Sequence, residues 1–294
     1  MKPVTVRAPA STANLGPGFD CAAAALDLWN ELSVDERLEG EPFVEVEGEG
    51  ADEVPRGPEH LALRAFARVV PLDGFRFRFV NRIPLERGLG SSAAAVAAGL
   101  VAGALVAGRS TDPVELLALG LTLEGHADNL AAALGGGVCL TWTNGAGPRT
   151  ARVAADTPLA PIVVVPEERV STQHSRSRLP FEIKHSDAAA AAAQAALLGA
   201  ALAAGDSQLH ASALRDLLHE PYREADAPLL AQLRADLPPG ARGVTLSGSG
   251  PSVVVWADKE RAAEVARELE RKVGDGVRVL ALRVANQGAG AHEQ

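Results

Sequence analysis

The sequence predicts an α+β fold. Segments with period-two alternation of apolar and polar residues, clearest at 75–80, indicate half-buried strands. Segments with apolar residues at helical spacing, such as 259–273, indicate amphipathic helices. Because the strands look antiparallel and do not alternate regularly with the helices, a parallel βαβ array is disfavoured. A chain of 294 residues is long enough for one large domain or two modest ones.

The first half of the chain predicts a strand-rich domain, residues 1–150. Asp112 followed by Pro113 is a typical helix start, because a cap precedes proline in the first turn. The polar, glycine-rich segment 143–148 suggests a domain boundary near residue 150. The predicted strands are 5–8 (ending at Pro9), 32–38, 43–47, 75–80 and 138–143. The predicted helices are 61–70, 91–108, 111–125 and 129–134.

The second half predicts another mixed domain, residues 151–285, and a tail at 286–294 that we expect to fray. Its helix 187–204 is almost entirely alanine, and small side chains of this kind allow close helix packing. The remaining predicted helices are 207–218, 229–237 and 259–273. The predicted strands are 161–165, 243–247, 252–256 and 277–284, the middle two joined by a tight loop at 248–251.

Composition narrows the classes of function. The net charge of −9 argues against a nucleic-acid binder and against a protein that binds anionic membranes. The two cysteines, Cys21 and Cys139, form no CxxC or Cys/His cluster, which disfavours a zinc site. The apolar stretch 93–108 is shorter than the ~20 residues of a membrane span, and residues 1–7 read as a strand and not as a secretory signal. We therefore expect a soluble cytoplasmic protein.

The string PLERGLGSSAA at 84–94 carries the strongest functional signal. Glycines allow the backbone to approach a ligand closely, and the free N–H groups at a helix N-terminus bind anions. Serine hydroxyls there can bind phosphate or complete a Mg²⁺ shell. The string lacks the Walker pattern, and the alternative is a glycine-rich turn with a serine cap. The predicted phosphate-binding residues are Pro84, Arg87, Gly88, Leu89, Gly90, Ser91, Ser92 and Ala93.

This string resembles the central motif of the GHMP kinases (galacto-, homoserine, mevalonate and phosphomevalonate kinases). The segments APASTANLGPGFD at 8–20 and GVTLSGSGPS at 243–252 resemble the first and third motifs of that family. The resemblance covers nearly the whole chain. It implies a two-domain fold, with an N-terminal domain like domain 2 of ribosomal protein S5 and a ferredoxin-like C-terminal domain. The active site would lie in the cleft between them, with ATP over residues 88–92.

Within the family, segments 12–20, 124–129 (EGHADN) and 218–223 (LHEPYR) resemble the homoserine kinases. That branch transfers the γ-phosphate of ATP to L-homoserine, giving O-phospho-L-homoserine for threonine synthesis. The resemblance implies that Ser92 and Glu124 hold Mg²⁺. It also implies that Asn129 orients the acceptor hydroxyl, which attacks directly without a strong protein base. The implied substrate-binding residues are Asn14, Asp20, His126, Asn129, Arg176, Arg223, Gly248 and Ser249.

Simpler interpretations of these residues stay open. Asn14 and Asp20 can hold a turn through bonds to the backbone, and Arg176 can belong to a solvated charge group. Arg223 can form a surface ion pair with a neighbouring glutamate, and Gly248 can serve only a tight hairpin.

The chain also departs from the pattern of the homoserine kinases. Ala127 replaces the usual proline, and Leu217 stands where arginine is common. His60 precedes a position near the nucleotide that is commonly asparagine, so no adenine contacts are assigned. The alternative functions are another GHMP kinase, acting on mevalonate, shikimate or a sugar alcohol, and a non-catalytic binding protein of the same fold. Homodimers occur among related enzymes, so a homodimer is a candidate assembly, although no interface signature is evident.

Overall fold

In the computed structural model, which describes residues 3–36, 43–145 and 147–292, the strands form two sheets. The strands are β1 (Val4–Ala13), β2 (Ala22–Glu36), β3 (Phe43–Gly48), β4 (Phe75–Asn81), β5 (Val138–Asn144), β6 (Gly147–Ala154), β7 (Ala160–Val165), β8 (Ala241–Leu246), β9 (Val253–Ala257), β10 (Arg278–Ala281) and β11 (Gly290–Ala291). The α-helices are α1 (Leu61–Phe66), α2 (Ser91–Val106), α3 (Pro113–Gly120), α4 (Ala127–Gly135), α5 (Thr172–Ser177), α6 (His185–Ala204), α7 (Ser207–Ser212), α8 (Glu220–Arg223), α9 (Pro228–Ala235) and α10 (Ala262–Lys272).

The first sheet has the order β11-β1-β2-β4-β3, with β5 and β6 added beside the start of β2. Its pairs are antiparallel except β3 with β4. Helix α2 packs on this sheet and against α1, where a Cβ on Gly99 would lie 2.1 Å from the carbonyl oxygen of Ala62. The alanine and glycine content of α2 therefore reflects close packing. The loop that precedes α2 contacts β1, because the backbone N–H of Ser11 donates to the carbonyl oxygen of Leu89 at 3.1 Å.

The second sheet has the antiparallel order β10-β7-β9-β8. Alternate residues of its strands enter different cores: Ile162 and Val253 pack with helices α9 and α10, whereas Val163 and Val254 pack with the first sheet's core. This is the two-residue period of a sheet buried on both faces. The shared core joins the two halves of the chain, and the predicted α+β class is confirmed.

Several predicted boundaries were wrong. The strand expected to end at Pro9 continues to Ala13 because a register shift between Pro9 and Ala10 absorbs the proline. The beginning of β2 was missed because residues 22–25 are alanines, which carry no β-branched signal although all are buried. The helix predicted at 207–218 ends at Ser212, and α5 was missed. At the C-terminus, Gly290 and Ala291 pair with β1, so this part of the tail is ordered.

The domain boundary near residue 150 stays a prediction, although β6 runs through it to Ala154 and pairs with β5. Within the described residues, α6 is long and apolar enough to cross a membrane by length and composition alone. Its alanine-rich sequence packs on α7 and β6 along one side, where Ala191, Leu198, Ala201 and Leu202 are buried. The absence of a membrane partner stays a prediction.

Candidate active site

A cavity of about 290 Å³ lies where the N-terminus of α2, the loop after β1, the first turn of α4 and the loop after β8 meet. Every residue that the sequence placed in the site lines this cavity. These residues are Asn14, Asp20, Pro84, Arg87, Gly88, Leu89, Gly90, Ser91, Ser92, Ala93, Glu124, His126, Asn129, Arg176, Arg223, Gly248 and Ser249. The structure therefore brings together residues separated by more than two hundred positions in the chain.

The glycine-rich loop ends at Gly90, which is the N-cap of α2. Gly88 and Gly90 have φ values of 74° and 66°, a region that favours glycine. A Cβ on Gly88 would lie 2.1 Å from the carbonyl oxygen of Ser247, and one on Gly90 would lie 2.0 Å from Ser11 Oγ. No side chain among the described residues caps α2, so its first N–H groups are available to an anion.

The segment that resembles the third family motif supports this loop. Ser247 Oγ donates to the carbonyl oxygen of Gly88 at 2.7 Å, and Gly248 N donates to that of Ala13 at 3.1 Å. The third segment therefore fixes the glycine loop to the end of β1. Gly248 and Ser249 do more than close a hairpin, because they form one wall of the cavity.

The side chain of Arg87 connects the glycine loop to the second half of the chain. Its Nε donates to the carbonyl oxygen of Pro166 at 3.0 Å and its Nη2 to that of Glu167 at 2.5 Å, while Nη1 donates to Leu85 at 2.8 Å. Each guanidinium nitrogen thus has a carbonyl partner. Contact of Arg87 with a cofactor stays a prediction, and its observed role is to hold the loop.

Ser92 and Glu124 are in direct contact. Ser92 Oγ donates to Glu124 Oε2 at 2.5 Å, and His126 Nδ1 lies 3.9 Å from Glu124 Oε1. The described residues contain no cluster of three or more His, Cys, Asp or Glu side chains that could hold a metal. One carboxylate and one hydroxyl fit Mg²⁺, which takes few protein ligands and is completed by substrate phosphates and water.

The amide of Asn129, in the first turn of α4, has a fixed orientation. Its Oδ1 accepts a hydrogen bond from Ser11 Oγ at 2.7 Å, and its backbone N–H donates to Asp128 Oδ1 at 2.7 Å. Burial raises the pKa of Asp128 to about 6, and the nearby Asp20 adds to this effect, whereas the bond from Asn129 opposes it. Asp128 lines the cavity and was missed, although it lies inside the segment 124–129.

The loop after β1 has an unusual backbone. Asn14, Leu15 and Asp20 have positive φ values of 71°, 48° and 56°. Asn14 Oδ1 accepts from the N–H of Asp20 at 3.0 Å, and its Nδ2 donates to the carbonyl oxygen of Gly248 at 2.9 Å. Asn14 therefore holds the turn, as the simpler interpretation required. Because it also lines the cavity, its contact with a substrate stays a prediction.

Two arginines bring positive charge to the cavity. Arg176 Nη2 donates to Asp20 Oδ1 at 2.6 Å, in an ion pair whose side chains are 35% and 42% exposed. Arg223 is only 3% exposed, so the surface pair considered for it is wrong. Both guanidinium carbons lie over the ring of Phe19, at 5.8 and 5.4 Å from its centre. An amino acid with both a carboxylate and an ammonium group is complementary to these charges.

A second cavity of about 370 Å³ adjoins the first, and Ser91 and Ser92 line both. Its walls include the rings of His60 and Phe79, which stack with centres 4.2 Å apart. His60 Nδ1 accepts from the N–H of Ala62 at 3.2 Å, and burial lowers the pKa of His60 to about 4. This cavity is lined mainly by apolar atoms, and apart from His60, Ser91 and Ser92 its lining was not predicted from the sequence.

Comparison with known proteins agrees with this geometry. The model of the GHMP kinases N-terminal domain matches residues 59–137, and that of the GHMP kinases C-terminal domain matches residues 186–276. A homoserine kinase of Microchaete diplosiphon is 37% identical over 97% of this chain and 96% of its own length. The chain belongs to the GHMP kinase family. The predicted two-domain GHMP kinase fold is thereby confirmed.

Two further relatives of this GHMP kinase are named homoserine kinases, and a more distant one is a mevalonate kinase. A homoserine kinase of Moorella thermoacetica is 41% identical over 85% of this chain and 86% of its own. The crystal structure of a homoserine kinase from Cytophaga hutchinsonii superposes with a TM-score of 0.90 at 25% identity, over 99% of this chain and 98% of that one. A mevalonate kinase of Methanococcus jannaschii, at 16% identity and a TM-score of 0.70 over 95% and 98% of the chains, shares the fold.

Proposed function

We propose that this GHMP kinase is a homoserine kinase, which transfers the γ-phosphate of ATP to the hydroxyl of L-homoserine and releases O-phospho-L-homoserine and ADP. One observation carries the proposal: an uncapped helix N-terminus and a set of charges complementary to an amino acid line the same cavity. The named relatives support it. The product would serve threonine biosynthesis.

The nucleotide would occupy both cavities. Its phosphates would lie at the N-terminus of α2, where free N–H groups and the helix dipole stabilise negative charge. Its base would enter the second cavity, whose walls include His60 and Phe79, since Ser91 and Ser92 lie at the junction of the two cavities. Because Nδ1 of His60 accepts a bond from Ala62, its proton resides on Nε2, which can donate to a base nitrogen. His60 would thus supply a donor next to the position where relatives commonly have asparagine.

The amino-acid substrate would displace the ion pair between Asp20 and Arg176 and bind both side chains. Its carboxylate would bind the guanidinium groups of Arg176 and Arg223, and its ammonium would bind Asp20. The chain of homoserine places its hydroxyl beyond the ammonium, toward Asn129 and the glycine loop. Asn129 is already oriented by Ser11, so it can align the hydroxyl with the γ-phosphate.

Magnesium would be held by Ser92 and Glu124, and it would neutralise charge on the phosphates. Phosphoryl transfer depends mainly on alignment and charge neutralisation, so we propose direct attack by the hydroxyl, without a strong base. Asp128 is a candidate for such a base in this part of the site, because a buried carboxyl with a pKa of about 6 can accept a proton near neutrality. Its substitution therefore tests the proposed mechanism. An acidic limb of kcat near pH 6 that disappears in Asp128→Asn would show that Asp128 is the base.

The remaining predictions concern the location of the protein in the cell, its partners and its assembly. We propose a cytoplasmic enzyme that binds neither nucleic acid nor membrane, with a homodimer as its candidate assembly. The alternatives are a GHMP kinase for mevalonate, shikimate or a sugar alcohol, and a non-catalytic protein of this fold. The intact glycine loop with Ser92 and Glu124 favours catalysis over the latter.

The deciding experiment measures Mg²⁺-dependent ADP release with L-homoserine, L-serine, L-threonine, mevalonate and shikimate. We expect turnover with L-homoserine, a loss of ~100-fold or more in Glu124→Gln, and an increase in the Mg²⁺ concentration that this variant requires. The matched control is Glu115→Gln, an exposed glutamate on the neighbouring helix α3. Preference for another acceptor would contradict the proposed substrate, and ATP binding without turnover would favour the non-catalytic alternative.

A further inference from the structure

The imidazole of His219 is fully buried beside the cavity, between two of the segments that form it. Its Nε2 lies 3.0 Å from the carbonyl oxygen of Gly16, and its Nδ1 lies 3.2 Å from Nη1 of Arg223. The ring of Phe19 stacks on the imidazole, with centres 5.0 Å apart and planes inclined by 21°. His219 does not line the cavity, and it was not among the predicted site residues although the segment 218–223 contains it.

The two contacts require one form of the imidazole. A guanidinium can only donate, so Nδ1 must accept from Arg223, and a carbonyl oxygen can only accept, so Nε2 must carry the proton. The neutral Nε2–H tautomer satisfies both bonds. Burial lowers the pKa of His219 to about 4, and Arg223 acts in the same direction, whereas Asp216 opposes it, so this form persists at neutral pH.

These bonds complete a closed circuit around one wall of the site. Nη1 of Arg223 also lies 3.3 Å from the carbonyl oxygen of Gly248, which accepts from Asn14 Nδ2 at 2.9 Å. Gly16, in the same loop as Asn14, closes the circuit through His219. Each bond therefore constrains the others, and the loop after β1 is tied to the arginine of α8.

The circuit also determines which part of Arg223 is left for a ligand. Nε lies 3.4 Å from the carbonyl oxygen of Ser175, and Nη1 is shared between His219 and Gly248. Within the described residues, Nη2 makes no hydrogen bond. Since Arg223 lines the cavity, Nη2 is the donor that remains for an anionic group.

The backbone around His219 is itself fixed. Asp216 Oδ2 accepts from the N–H groups of His219 and Glu220, at 2.7 and 2.8 Å. This cap holds the start of α8, so the imidazole and the guanidinium one helical turn later keep their spacing. The arrangement is already formed without a substrate, as preorganised binding requires.

We propose that His219 is a positioning residue, which orients the guanidinium of Arg223 through Nδ1 and fixes the loop of Asn14 through Nε2. Its effect is on the binding of the amino-acid substrate's carboxylate. This inference rests on the proposed function, since it takes the carboxylate of L-homoserine as the ligand of Arg223.

Two substitutions separate the two bonds. The amide oxygen of asparagine occupies the place of Nδ1, so His219→Asn keeps an acceptor for Arg223 and loses the bond to Gly16. The amide of glutamine reaches the place of Nε2, so His219→Gln keeps a donor to Gly16 and loses the acceptor. We expect His219→Gln to raise KM for L-homoserine about tenfold or more, the effect of one bond to a charged group. KM for ATP should not change, and His219→Asn should raise KM for L-homoserine less than about threefold.

A double variant tests whether His219 acts through Arg223. In Arg223→Ala, adding His219→Gln should cause no further loss of L-homoserine affinity, measured by calorimetry. Equal effects of the two His219 substitutions, additive losses in the double variant, or a parallel rise in KM for ATP would overturn the proposal.

The wild-type protein provides a readout that does not depend on the folding of any variant. Nitrogen-15 chemical shifts of His219 should report the neutral Nε2–H tautomer from pH 5.5 to 8. Protonation in this range, or the Nδ1–H tautomer, would overturn the proposal. Absence of L-homoserine turnover in the wild type would instead contradict the proposed function, so the two failures are distinguishable.

Discussion

The glycine that caps α2 offers a sharp test of how the site is built. In Gly90→Ala the new methyl group would lie 2.0 Å from Ser11 Oγ and 3.1 Å from Asn129 Oδ1. Real Cβ atoms do not approach other atoms as closely as 2.0 Å, so Ser11 must move. Because Ser11 Oγ donates to Asn129 Oδ1 at 2.7 Å, its movement also releases the amide that would align the acceptor hydroxyl.

The expected magnitude has two parts. An alanine with the φ of Gly90, 66°, costs ~1–2 kcal/mol of folding free energy, and the lost bond between Ser11 and Asn129 adds ~1 kcal/mol. The free energy of unfolding should therefore fall by ~2–3 kcal/mol. Catalysis should suffer more, because a displacement of ~1 Å in an aligning group costs ~100-fold in kcat.

The opposite end of the same helix contains a matched control. Gly108 has a φ of 61°, and a Cβ there would meet no atom within 4 Å. Gly108→Ala should lose ~1–2 kcal/mol of stability and keep the wild-type kcat. Denaturant unfolding and coupled ADP release measure both quantities on both variants. Wild-type kcat/KM in Gly90→Ala, or an equal loss of kcat in Gly108→Ala, would refute the reasoning.

Three further predictions concern titration and contacts between the two halves of the chain. Burial raises the folded-state pKa of Asp128 from its ordinary value of 3.8 to about 6, so its contribution to stability is present below pH ~4 and is lost as pH rises through 6. Asp128→Asn should therefore flatten the pH dependence of the free energy of unfolding and exceed the wild type in stability at pH 7. Arg87→Lys should lower the free energy of unfolding by ~1–3 kcal/mol and raise KM for ATP, because one ammonium cannot reach three divergent carbonyls. Arg278→Ala breaks a half-exposed pair with Glu49 and should change the free energy of unfolding by less than ~1 kcal/mol in the same assay.

The parts of the site that could be predicted are those encoded locally. The glycine loop and the start of α2 follow from adjacent residues, because glycine, serine and an apolar helix have strong local preferences. The segment 124–129 likewise carries its own turn and helix start. The contribution of Arg87 could not be predicted in this way, since its partners are backbone carbonyls of Pro166 and Glu167, which leave no pattern in the sequence.

The other features that were not predicted depend on burial in the folded chain or on contacts between distant residues. The alanines of β2 form a strand because they pair with β1 and β5 and are buried under packed helices such as α4, not because alanine favours strands. Asp128 resembles any acidic residue near a helix start, and its raised pKa comes mainly from its burial in the folded chain, with a smaller contribution from Asp20. The contact of His219 with Gly16 joins residues 203 positions apart, so no local pattern could indicate it.

The exposure of the ion pair between Asp20 and Arg176 suits the proposed site, because an amino-acid substrate would have to separate the two side chains. Without a substrate the two charges satisfy each other, at 2.6 Å, and remain in contact with water. An exposed pair of this kind contributes only ~0–1 kcal/mol, so a zwitterionic substrate displaces it at little cost. A buried pair would resist separation, because each charge would lose its partner out of reach of water. Arg223 can be buried because it would exchange no partner: its bonds to His219 and Gly248 would persist while its remaining donor met the proposed substrate.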